Sequence, residues 1–162
     1  MTLVGTDRLP VRWMADARER EALIGAHPEA ALVADWLPLR ANLSVLENIA
    51  IVPRYRSDLD EETADAMVSA LLARVGFGGC AHARDPDLDR EQRFVAKLLQ
   101  AVLLRAPLII IDRPGLQLPD TLYPEFIDRT LVALGDELGP CWIVDYTWNA
   151  PLYPPPASRT SA

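Results

Sequence analysis

Apolar positions along this chain follow two rhythms. Short unbroken runs, AALVA at residues 30–34, LIII at 108–111 and CWIV at 141–144, have the length and branching of buried strands. Longer stretches between them repeat every three or four residues. In SDLDEETADAMVSALLARVGFGG, Ala64, Met67, Val68, Leu71, Leu72 and Val75 share one face, predicting a helix from about Glu61 to Val75 that Gly76 stops. In DLDREQRFVAKLLQAVLLRA the apolar face is Phe94, Val95, Leu98, Leu99, Val102 and Leu103, a second helix. NLSVLENIAIV opens with Ser44 and has Glu47 three residues on, the spacing of a capping box. A further helix is predicted from about Pro124 to Leu138.

Strands alternating with helices predict an α/β fold with a parallel sheet, and the adjacent helices in the middle predict a helical insertion at about 45–106. One domain over 1–150 accounts for all of these segments. The remainder, 151–162, is rich in proline and small polar residues and is expected to be a mobile tail. No internal repeat is present.

Composition narrows the function classes. The 162 residues carry a net charge of −7, which argues against an electrostatic grip on nucleic acid or anionic lipid. No run approaches the roughly 20 apolar residues of a membrane span, and no signal-peptide pattern follows Met1. Cys80 and Cys141, far apart, fit a reduced cytoplasmic protein better than a disulfide-stapled one. His27 and His82 are isolated from other metal-ligating residues in sequence.

The candidate chemistry sits in LIIIDRPG, residues 108–115. An acid at the carboxyl end of an apolar strand, Asp112, commonly faces a ligand, yet Arg113 places a fixed positive charge beside it.

Four segments, in order and at matching separations, resemble the nucleotide-binding domain of ABC transporters. LRANLSVLENIAI resembles the stretch after that family's Q-loop. LDREQRFVAKLLQAVLLRAPLIIIDRP aligns without a gap with its signature motif, the following helix and the Walker B strand. GLQLPD stands at the D-loop, and CWIVDYTWN where a strand ends in the switch histidine. The likeness covers about Val4 to Val144. It implies a partial P-loop NTPase-like parallel sheet with a helical subdomain. It also exposes what is missing: no GxxxxGK[ST] phosphate loop occurs. LVGTDRL at 3–9 resembles a family segment beyond that loop and its helix, so the chain is expected to start partway through the domain, through a shortened gene or a late-assigned start at Met1.

The other site positions also depart from the family. Asp35 stands at the Q-loop glutamine. Asp89, Arg90 and Glu91 replace Ser-Gly-Gly of the signature, leaving Leu88 and Gln92, and Asp89 with Gln92 reads as a helix cap. Asp112 matches the magnesium-binding Walker B aspartate. Arg113 replaces the glutamate that polarises water, and a guanidinium accepts no proton; beside Asp112 it either neutralises a carboxylate without its metal or is an ordinary surface arginine. Tyr146 falls on the histidine, with Trp148 nearby.

The resemblance therefore implies a non-catalytic ABC-ATPase-like protein that needs no ATP, magnesium or other cofactor. Its expected partners are the cytoplasmic loops of a membrane permease, an ABC ATPase subunit or a second copy of itself. It would lie in the cytoplasm, held at the membrane's inner face through a permease. The alternative is an ATP-binding transporter subunit whose ATPase activity depends on a competent partner or a longer true N-terminus, with ATP and magnesium as cofactors. A regulator or eroding remnant, or an unrelated receiver-like fold using Asp112, completes the alternatives.

Overall fold

A computed structural model describes residues 9–155. Four parallel strands form one sheet in the order β1-β4-β3-β2: β1 is Val11–Met14, β2 Ala31–Val33, β3 Ile109–Asp112 and β4 Cys141–Tyr146. The register sets Ile109 against Cys141 and Asp112 against Val144, while Val11 lies beside Ile143. Parallel pairing brings the carboxyl ends of all four strands to one edge, where open α/β sheets hold their ligands.

All three runs identified as strands are strands. β4 continues two residues past the expected Val144, so Asp145 and Tyr146 belong to it. β1 was not predicted. Its VRWM is only four residues long and is interrupted by Arg12, and its only strand neighbour among the described residues is β4, more than a hundred positions away.

Helix α1 (Ala17–Gly25) crosses one face of the sheet from β1 to β2. The cover it provides is thin: Met14, Leu108, Ile110 and Val144 are buried there, while Leu23, Leu32, Trp142 and Tyr146 remain partly exposed. The opposite face carries the main core. Helix α4 (Arg90–Leu103) buries Phe94, Val95, Leu98, Leu99 and Val102 against the sheet and against α2 (Val45–Arg56). Helix α3 (Glu61–Arg74) packs on α2, burying the Ala64, Val68, Leu71 and Leu72 stripe and leaving Met67 exposed; it ends at Gly76, whose φ of +85° suits a residue without a Cβ. The short α5 (Pro114–Gln117) follows β3 directly. Helix α6 (Tyr123–Leu134) stops four residues before the expected Leu138, because Gly135 turns the chain at φ +52°.

Two expectations need correction. The chain does not lack a strand–turn–helix unit ahead of β2: β1 and α1 form one at the carboxyl edge, the arrangement in which phosphate loops are built. Only the loop is missing, since Ala15 and Asp16 alone connect strand to helix. The segment expected to be mobile from residue 151 is held at Tyr153, whose hydroxyl donates to buried Asp145 at 2.8 Å. Residues 156–162 of that tail, and most of LVGTDRL, lie outside the described residues.

Candidate functional site

The carboxyl edge gathers Asp16, Asp35, Asp112, Arg113 and Tyr146 from four strand ends. At its centre Asp112 is 1% exposed. Arg20, one helical turn into α1, reaches it with Nε donating to Oδ1 at 2.7 Å and Nη2 to Oδ2 at 3.1 Å. Arg113 adds a donation from Nε to Oδ2 at 3.2 Å. Planar, two-point pairing of this kind is the strongest geometry available to a guanidinium and a carboxylate. The hydrogen bond to Asp112 raises the pKa of Arg20, against the opposing effect of its burial. Two fixed cations thus sit where a divalent metal would approach Asp112.

Arg113 adopts left-handed backbone, φ 43° and ψ 65°, which costs a residue with a Cβ about 1–2 kcal/mol. Its N–H donates to Val144 O at 2.8 Å, tying the bend to β4. The conformation swings the side chain back alongside its neighbour's carboxylate. Arg113 is thus an ion-pair partner of Asp112.

Two of the helix N-termini at this edge, those of α1 and α4, are capped by the chain's own acids. At α1, Asp16 accepts from Glu19 N at 2.8 Å, and Glu19 Oε2 accepts from Ala15 N at 2.6 Å. At α4, Asp89 accepts from Gln92 N at 2.8 Å while Gln92 Oε1 accepts from Asp89 N at 3.0 Å, a complete capping box. At these two ends the N–H groups and dipole that would attract phosphate are taken. Arg90 and Glu91 follow the cap; Arg90 is exposed, and Glu91 Oε1 accepts from Thr121 Oγ1 at 3.1 Å.

Asp35 and Tyr146 lie farther along the same edge. Asp35 is exposed just past β2. Tyr146 stacks on Trp148 with ring centroids 4.2 Å apart and 15° between planes. Beside it Asp145, 2% exposed, accepts from Tyr123 Oη, Tyr153 Oη, Asn149 Nδ2 and Tyr146 N. Burial, reinforced by that carboxylate, raises the pKa of both tyrosines. His27 shares a 3.0 Å hydrogen bond with Glu29 and meets Trp142 edge-on.

Sequence reasoning located Asp112 and Arg113 but missed Arg20, Asp16, Asp145 and Tyr153. Arg20 had one usable sign: it lies three and four residues before Leu23 and Ile24, on the inward face of α1. Asp145 had none, because the expected strand ended before it.

No family model matches the chain. It is 29% identical over 102 residues to the octopine permease ATP-binding protein P of Rhizobium meliloti, a match covering 63% of this chain and 37% of that protein. Among solved structures it is similar to the dimeric bacterial ABC transporter cassette MJ0796, with TM-score 0.60, 21% identity, and coverage of 82% of this chain and 60% of that one. The same cassette in a post-hydrolysis state bound to ADP and Pi gives TM-score 0.58 and 21% identity, covering 82% and 58%. The chain thus spans 37% of the curated relative's length and less than two thirds of either solved chain.

Proposed function

We propose that this chain, whose fold is that of the nucleotide-binding domain of ABC transporters, does not hydrolyse ATP and works by binding protein as an accessory or regulatory component of a membrane transport system. The observation that carries this reading is the Arg20–Asp112–Arg113 cluster, in which buried arginine replaces the metal that an aspartate at the end of such a strand would share with a nucleotide. The two-residue connection between β1 and α1 offers no row of backbone N–H groups to phosphate.

Surface that asks for a partner supports the binding half of the proposal. The α1 side of the sheet is thinly covered, and Trp36 is 56% exposed. Close to Trp36, the apolar Leu32, Leu37, Pro38, Ala101 and Leu104, with Lys97 and Gln100, line a cavity of about 210 Å³. The proposed occupant is a cytoplasmic loop of a permease; an ABC ATPase subunit or a second copy are the competing outcomes. The protein would then sit on the cytoplasmic side, peripheral to the membrane. No helix among the described residues is long and apolar enough to cross a membrane.

The test combines calorimetric titration of Mg-ATP with sedimentation over a concentration series, with and without the permease's cytoplasmic loops. Absence of ATP binding and a loop-dependent rise in mass are expected. Micromolar ATP binding overturns the first half; a monomer that ignores every such partner and binds no hydrophobic dye overturns the second. The likeness to the octopine permease ATP-binding protein favours a second reading, an ATP-binding subunit completed by a competent partner. Phosphate release on mixing with such a cassette subunit, above that of the subunit alone, would select it.

A further inference from the structure

Gln117, 5% exposed at the end of α5, donates from Nε2 to Val33 O and to Asp112 O, each at 3.1 Å. Two main-chain carbonyls, which can only accept, fix the amide with its nitrogen toward the sheet. Its oxygen is turned the other way and is buried with no hydrogen-bond partner among the described residues, an arrangement that natural cores seldom leave unmet. Gln117 also lines a cleft together with Asp35, Arg90, Arg93, Phe94 and Lys97.

The cleft's other polar groups are mostly cations with donors to spare. Lys97, 8% exposed, donates to Ala34 O at 3.1 Å, leaving further ammonium hydrogens. Arg93 uses Nε on Asp85 Oδ1 and Nη2 on the Asp85 and Leu88 carbonyls, leaving Nη1. Arg90 lies exposed at the rim, opposed there by the carboxylate of Asp35. Counting the Arg93–Asp85 pair as neutral, the cleft keeps a net positive charge.

These groups make contradictory demands on most ligands. A bare anion suits the cations but sets a lone pair against Gln117 Oε1. An amine satisfies Gln117 and is repelled by lysine and arginine. We propose that the cleft binds a small oxyanion that retains one hydrogen, such as monohydrogen phosphate or bicarbonate. Its hydroxyl oxygen enters first, donating to Gln117 Oε1 and accepting from Lys97, while its charged oxygens face Arg93 and Arg90. The cleft, about 20 Å³, has room for one oxygen-sized group, so the hydroxyl would occupy it while the charged oxygens stay at its solvent-facing rim. The cleft shares Lys97 with the cavity of the proposed protein-binding surface, but the inference does not rest on that reading.

The hydrogen supplies the test. Amide spectra of the full chain are followed at neutral pH and constant ionic strength while phosphate, bicarbonate or sulfate is added. Sulfate matches phosphate in shape but carries no hydrogen there. The expected result is saturable movement of the Gln117 side-chain amide with phosphate or bicarbonate, at least about tenfold weaker with sulfate. Whichever of the two saturates at lower concentration identifies the source. Arg90→Gln, on the exposed rim, is expected to weaken binding about threefold or more without changing the fold. Gln117→Glu is expected to abolish it, with Arg90→Gln as the guard should that variant not fold. Sulfate binding as tightly as phosphate, an Arg90→Gln affinity equal to the parent's, or no saturable response to either ligand would each overturn the proposal.

Discussion

Replacing Arg20 by methionine keeps most of the side chain's length and removes its charge. Asp112 Oδ1 then loses its one hydrogen bond, and Oδ2 keeps only Arg113 at 3.2 Å. The carboxylate is 1% exposed, so water cannot take over. Breaking a buried pair from one side costs about 3–5 kcal/mol, and the surviving Arg113 contact argues for the lower end, about 3 kcal/mol. For a chain of this size that lowers Tm by roughly 6–12 °C, measured by thermal melting of the full chain. The companion variant Arg20→Met/Asp112→Leu removes both charges. It is expected to melt above the single variant, because an apolar pair of similar volume seldom costs what an orphaned carboxylate does. Millimolar magnesium should not rescue Arg20→Met, since no phosphate cradle completes a metal site. A fall in Tm below about 2 °C, or a double variant less stable than the single, would show that the cluster is not a closed ionic unit. Magnesium rescue would mean that a metal site survives.

Three further outcomes follow from the same geometry. Arg113→Glu returns an acid to the end of β3 but is expected to release no phosphate from ATP, because positioning supplies most of phosphoryl transfer; a malachite-green assay checks it. Tyr153 has its pKa raised by burial, so the folded protein keeps a proton that the unfolded chain releases near the ordinary tyrosine value of about 10. Its contribution to stability is therefore complete below that pH and is lost progressively as pH rises above it toward the higher folded value, and Tyr153→Phe should flatten the alkaline limb of a Tm-against-pH curve; an unchanged limb contradicts this. Asp89→Ala should cost about 0.5–2 kcal/mol by removing the α4 cap, read from urea midpoints.

Much of the framework was legible because burial writes itself into periodicity. LIII and CWIV are continuous apolar runs since helices lie on both faces of their strands, thinly on the α1 side, and α4 shows its stripe because one side packs on the sheet. The capping pairs at Ser44 and Asp89 were equally readable, since a cap is a local bond between residues three apart. β1 escaped notice because an edge strand with Arg12 and Trp13 on opposite faces has no apolar run to display. Arg20 escaped for a different reason. In AREREALIG charge is dense, and what distinguishes one arginine from its neighbours is a partner 92 positions along the chain. Local pattern carries caps and cores; it does not carry the far end of an ion pair.

The placement of β1 at the sheet's edge bears on how this protein is made. Val11 finds its strand partner Ile143 only when about 130 further residues have been synthesised. At roughly 5–20 residues per second, VRWM waits on the order of 7–26 s with an open backbone edge. During that interval α1 cannot close over Val144, and Arg20 has Asp112 available only after β3 has emerged. The early segment is thus a client for whatever shields unpaired strands on nascent chains. Its capture by β4 comes almost last, so release of the last strand, rather than of the first, is the event that commits the sheet.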